Sequence, residues 1–272
     1  FKADGGGGER IVFTSIKDDN FGNPWDTNGD GNATAPAVNN WKTINFKATS
    51  DDSFSMMDSC TVKFSGYNSM GAITYTDAAA KVSNTLISDS YFGVKCEGSS
   101  TPNIDGVTIQ NCNADPIAMS LKSDPAFTNI IFAANGSSGI KILEGTLSSN
   151  ATLSKRNIAG ISNIAYIVDD LTVSPNAVLT IEPGVVIKFN VHYYYKITVQ
   201  GALVADGTPT ERIVFTSIKD DSNGGDTNND GNSSSPDKGN WREIQFQSST
   251  LDTLNSLKYC SIRYGGNHSY LY

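Results

Sequence analysis

Two stretches of this chain have residue types and spacing suited to binding a metal ion, and they are near copies of each other. The first reads Asp26-Thr27-Asn28-Gly29-Asp30-Gly31-Asn32 and the second Asp226-Thr227-Asn228-Asn229-Asp230-Gly231-Asn232. Oxygen-bearing side chains at alternate positions of a tight turn, with glycine letting the backbone curl, are how a hard cation such as Ca²⁺ collects ligands. The expected set in the first loop is Asp26, Asn28 and Asp30, with the Asn32 carbonyl and Asp19 as additions. In the second it is Asp226, Asn228, Asp230, the Asn232 carbonyl and Asp221. An EF-hand would need flanking helices and a bidentate Glu at position twelve. Here that position is Ala37 in one copy and Asp237 in the other, so the EF-hand is excluded and Asp237 joins the second set. The competing reading is a solvated turn, because Asp, Asn and Gly favour turns for backbone reasons of their own.

Both loops sit inside a larger duplication. Glu9 to Asp19 reads ERIVFTSIKDD, and the same eleven letters return at Glu211 to Asp221. Trp41 and Trp241 follow the loops, then Cys60 and Cys260. Such self-similarity is the mark of a repeat architecture with a unit of about 202 residues. Residues 1–272 are therefore read as one continuous solenoid fragment. Residues 9–210 form one complete unit and 211–272 the start of the next, so the chain is expected to belong to a longer array.

A shorter period runs between the copies. Val62-Lys63-Phe64, Thr85-Leu86-Ile87, Val107-Thr108-Ile109 and Ile130-Ile131-Phe132 recur about every 22 residues, in step with Ile73-Thr74-Tyr75, Val94-Lys95-Cys96, Ile117-Ala118-Met119 and Ile140-Lys141-Ile142. Short strands joined by Gly, Asn, Asp and Ser turns must pair with their counterparts one coil above and below. This predicts an all-β, right-handed parallel β-helix with coils of about 22 residues and inserted Asp/Asn-rich loops. Alternation points the middle residue of Ile73-Thr74-Tyr75 outward and its neighbours inward. Asn84, Asn111, Asn129 and Asn135 fall near strand ends, where their amides can serve turn backbone groups. From Thr146 to Gly160 the pattern fades, which reads as an outward loop. Cys60, Cys96, Cys112 and Cys260 lack the spacing of a zinc site and read as core thiols, with a Cys96–Cys112 pair left open.

The order LTVSPNAVLTIEPGVVIKF, ITVQGALVADGT, ERIVFTSIKDD, DTNNDGN and GNWREIQF resembles the right-handed parallel β-helix repeats of secreted and cell-surface proteins of bacteria and archaea, relatives in fold of the pectate-lyase-like superfamily. The resemblance implies an extracellular or cell-surface setting, calcium in the Asp/Asn loop, and a role in adhesion, carbohydrate binding or surface structure. Fold alone does not fix function. A formal charge of -8 argues against nucleic acid or anionic membrane as partners, and no apolar run is long enough to span a bilayer.

Residues for polysaccharide cleavage are sparse. Of the motifs expected in polygalacturonase-like enzymes only Asp-Asp pairs occur, and neither His192 nor His268 has a suggested partner. A lyase or glycoside hydrolase acting on an acidic glycan therefore stands as the alternative to a non-enzymatic segment. Tyr193-Tyr194-Tyr195 lies between two strands, so at least one ring must face outward and can stack on a sugar. Tyr264, Tyr270 and Tyr272 crowd the C-terminal end. The expected partners are polysaccharide or cell envelope, together with other copies joined end to end through unpaired strand edges.

Overall fold

The computed structural model describes residues 1–6, 8–143 and 145–267, so His268, Tyr270 and Tyr272 lie outside the described residues. The regular structure is made of short parallel strands, each paired with the strand one coil away. Two units are distinguished. The first comprises Phe1–Met119, Ser123–Ser137 and Ile158–Gly160, and the second Ser120–Lys122, Ser138–Asn157 and Ile161–Tyr272. The repeat boundary at 210/211 falls inside the second unit.

In the first unit the chain visits three sheets in turn. One stacks Lys2–Asp4, Met56–Asp58, Lys81–Ser83, Asn103–Asp105 and Ala126–Thr128. The next stacks Ile11–Phe13, Cys60–Lys63, Leu86–Ser88, Thr108–Gln110 and Ile131–Ala133. The third stacks Ile44–Lys47, Gly71–Thr76, Phe92–Glu97 and Ile117–Met119. Register fixes the core columns: Val62 lies over Ile87 and Ile87 over Ile109, while Ile73 lies over Val94 and Val94 over Ile117. These residues are at most 1% exposed. Each such aliphatic side chain contributes roughly 1.5–3 kcal/mol by leaving water. The steps between them run from 21 to 25 residues, so the coils are somewhat longer than the expected 22 in places.

The second unit repeats the plan with longer coils. Leu147, Val173, Val199 and Phe246 stack in one sheet, and Leu153, Ile181, Ala205 and Leu257 in another. The third runs Ile140–Ile142, Tyr166–Val168, Val186–Phe189, Ile213–Ser217 and Cys260–Ile262. Residues 146–153 are thus not an outward loop. They form the strands Thr146–Leu147 and Ala151–Leu153, each placing one leucine in the core. Thr146–Leu147 and Ala151–Leu153 each carry a single large apolar residue, so neither shows the apolar–polar–apolar alternation that marks Ile140–Ile142.

Two further expectations are refined. Thr74 stands in register with Asn45 and Lys95, between the core residues Ile73 and Tyr75, yet it is fully buried, and its hydroxyl accepts hydrogen bonds from the Thr43 hydroxyl and the Gly71 N–H. Asn84, Asn111 and Asn129 take left-handed backbone conformations at the coil corners, and their amides donate to Asp58, Asp89 and Asp105 of the preceding coil. Asn135 alone of the four serves the backbone as expected, accepting from the Cys112 N–H and donating to the Ile109 carbonyl. All four cysteines are free thiols. Three are buried and Cys260 is half-buried. Among the described residues no helix is long and apolar enough to cross a membrane.

Candidate metal centre

Each Asp/Asn loop leaves the solenoid between two strands, Ile11–Phe13 and Ile44–Lys47 in the first copy, Ile213–Ser217 and Ile244–Phe246 in the second. Its base is closed by the same bonds in both. The Ser15 hydroxyl donates to Asn40 Oδ1 at 2.9 Å and the Ser217 hydroxyl to Asn240 Oδ1 at 2.8 Å, which ties the start of each loop to its end. The indole N–H of Trp41 donates to the Lys63 carbonyl and that of Trp241 to the Arg263 carbonyl.

Adjacent aspartates divide the work. Asp18 and Asp220 are 2% exposed and turn inward, accepting from the Thr14 and Thr216 hydroxyls at 2.5 and 2.6 Å. Burial works to raise both carboxyls. Hydrogen bonds from Thr14 and Asn20, and from Ser222, Thr216 and Asn223, outweigh it and hold both below the ordinary value. Asp19 and Asp221 face the other way, into the loop.

There the structure gathers three carboxylates per copy. Asp19, Asp26 and Asp30 each offer an oxygen, and these atoms lie within 4.8 Å of one another; Asp221, Asp226 and Asp230 do the same. Two oxygens on opposite sides of a Ca²⁺ ion are about 4.8 Å apart, because each sits roughly 2.4 Å from it. Both Asp26 oxygens accept backbone bonds, from the Asp30 and Gly31 N–H groups at 3.0 and 2.8 Å, and Asp226 repeats this at 3.1 and 2.9 Å. One oxygen of Asp30 takes bonds from the Asn28 amide and the Thr34 hydroxyl, and Asp230 is bound likewise by Asn228 and Ser234.

The other oxygens have no partner. Asp19 Oδ1, Asn28 Oδ1 and Asp30 Oδ1 are shielded from solvent and accept no hydrogen bond, and the same holds for Asp221 Oδ1, Asn228 Oδ1 and Asp230 Oδ1. Shielded, unpaired carboxylate oxygens are costly, and a cation is what relieves them. Desolvation and then the like charges of Asp26, Asp30 and Asp18 push the Asp19 carboxyl up. At Asp221 desolvation and Asp226 do the same, opposed by Lys188. The donor set fits a hard, oxygen-seeking ion.

Asn32 and Asn232 stand exposed one residue beyond the turn glycine. Asp237 is also exposed, and its carboxylate accepts the Lys238 N–H. The structure does not bring Asp237 to the cluster, because its side chain caps its own turn.

Lys188 is a neighbour that the sequence reading missed. It is fully buried, and its ammonium donates to the Gly225 carbonyl at 2.6 Å. Desolvation lowers its pKa to about 8 against the pull of Asp221, Asp220 and Asp226.

The tyrosine run forms a second feature in the same unit. Tyr193 and Tyr194 are 55% and 44% exposed, and Tyr195 is half-buried. The His192 ring lies against all three, closest to Tyr194 at 3.8 Å between centroids. Burial, then the charge of Asp169, raises the Tyr195 hydroxyl.

No curated protein and no solved structure gives a significant match to the chain. A family model described as right handed beta helix region matches residues 37–178, just over half of the chain. With its all-parallel coils and stacked core columns, the chain belongs to the right-handed β-helix family.

Proposed function

We propose that this chain is a calcium-stabilised, non-enzymatic segment of a secreted or surface-displayed β-helix protein, serving adhesion or extracellular structure. The observation that carries the reading is the pair of loops, each with shielded oxygens of Asp19, Asn28 and Asp30, or of Asp221, Asn228 and Asp230, that accept no bond. Ca²⁺ supplies the positive charge these oxygens lack. The loop's own residues do the rest: Asp26 and Asp226 fix the turn through backbone N–H groups, and Asp18 and Asp220 anchor it to the coil.

The surface so held presents Tyr193 and Tyr194, whose exposed rings suit the apolar face of a sugar. Polysaccharide or a cell envelope is the partner this chemistry fits. Calorimetric titration with CaCl₂ tests the metal reading. Two ions per chain are expected in the wild type and one after Asp26→Asn with Asp30→Asn; no heat of binding in either protein would overturn it. Retention on insoluble glycans tests the surface, with Tyr193→Ala plus Tyr194→Ala expected to abolish it while the melting curve stays unchanged.

A further inference from the structure

The second loop and the tyrosine run meet where the loop returns to the coil. The loop closes on Asn240, which is 9% exposed; its Oδ1 accepts the Ser217 hydroxyl at 2.8 Å and the Asp237 N–H at 3.1 Å. From there the chain brackets the tyrosines. The His192 N–H donates to the Asn240 carbonyl at 3.0 Å, and the Arg242 N–H donates to the Tyr195 carbonyl at 2.8 Å. Between these two bonds Trp241 stacks on Phe189, the last residue of the strand that leads into the tyrosine turn.

Within the turn, the Tyr195 N–H donates to the His192 carbonyl at 3.3 Å, and the His192 ring lies against the rings of Tyr193, Tyr194 and Tyr195. Tyr193 and Tyr194 stand edge to face, at 84°. Where His192 is held therefore decides where both exposed rings point. On the loop side, order runs from the carboxylate cluster to Asn240 through two turns. Asp226 holds the Asp230 and Gly231 N–H groups, while Asp230 takes the Ser233 N–H on its carbonyl at 3.2 Å and the Ser234 hydroxyl on its carboxylate. The Asp237 carbonyl then takes the Asn240 N–H at 3.3 Å, a donor shared with the Tyr264 carbonyl at 3.0 Å. That shared bond anchors one end of Asn240. Its side-chain bonds to Ser217 and Asp237 set the rotation that aims its carbonyl at His192.

We propose that Asn240 couples the second loop to the tyrosine turn: an ordered loop holds the Asn240 carbonyl on the His192 N–H, and so sets the surface that Tyr193 and Tyr194 offer to a ligand. Asn240 is a positioning residue, and an ion in the loop acts on a glycan contact through it. The ion and the glycan rest on the readings above; the coupling of loop to turn does not. Loosening the loop frees the Asp237 turn, and the bond at His192 is what opens with it, as a local unfolding short of the global one.

Hydrogen exchange resolved to single residues, read at the His192 amide of the whole chain, tests this. Asp226→Ala removes the acceptors of the Asp230 and Gly231 N–H groups, so it loosens the loop with or without an ion. It is expected to speed exchange at His192 roughly three- to tenfold, the worth of one net hydrogen bond. Asn240→Ala should do the same, and the two changes together no more than either alone, as for residues acting through one set of contacts. Asn240→Asp, which keeps an oxygen for both donors, should stay near the wild type, and Asp26→Ala in the other loop should leave His192 unchanged. Unaltered exchange in Asp226→Ala, or effects of Asp226→Ala and Asn240→Ala that multiply, would overturn the proposal. Two outcomes uphold it while removing a reading it joins. Exchange that answers Asp226→Ala but not chelator removes calcium, and exchange that answers both while retention on insoluble glycan stays the same removes the tyrosine contact.

Discussion

Asp18 and Asp19 are neighbours with opposite work, and so are Asp220 and Asp221. The first of each pair is buried and bonded by a threonine; the second faces the loop with an unpaired oxygen. The sequence grouped Asp19, Asp26, Asn28 and Asp30, and the structure brings the three carboxylates together because their spacing is local. It also grouped Asp237 with the second set, whereas the structure keeps that side chain at its own turn, and it missed Lys188, which is covered by a loop that follows it by more than thirty residues. A second consequence at this scale concerns Asp58, which accepts from the Ser83 hydroxyl, its largest influence, and from Asn84 and Ser59. These bonds place its folded carboxyl below the ordinary 3.8. The stability it contributes is therefore complete above that value and lost as pH falls through the lowered one. Asp58→Ala should be less stable than wild type in urea at neutral pH and approach it in strong acid. An equal deficit at both pH values would show that the ionised form is not what matters.

At the scale of the element, the strands of two or three residues decide the coil. Leu153 is 2% exposed and stacks below Ile181. Leu153→Ala should cost about 2–5 kcal/mol, measured by urea unfolding, and a cost near zero would restore the outward loop that the sequence suggested. Trp241 is 1% exposed and stacks on Phe189 at 4.1 Å between centroids. Trp241→Ala should cost about 3–5 kcal/mol. Strands with two or more large apolar residues, such as Ile117–Met119 and Ile140–Ile142, were readable from sequence. The corner bonds from Asn84, Asn111 and Asn129 to Asp58, Asp89 and Asp105 were not, because each joins residues a full coil apart.

At the scale of the whole molecule, duplication is the organising fact. Register repeats between copies: Ile11 pairs with Cys60 and Phe13 with Val62, as Ile213 pairs with Cys260 and Phe215 with Ile262. Repeat and coil periods made the right-handed β-helix legible before any coordinates, and the family model bears it out. Partner chemistry was less legible, since exposure of Tyr193 and Tyr194 depends on how the chain turns between strands. Under the proposed function, an ion at each loop stabilises the folded chain. Thermal unfolding in millimolar calcium and in chelator tests it most directly. An ion at a hundred times its dissociation constant stabilises the folded state by about 2.7 kcal/mol per site, so chelation should lower the melting temperature by several degrees, and combined Asp30→Asn and Asp230→Asn should abolish the difference. Identical melting curves in calcium and in chelator would contradict the account.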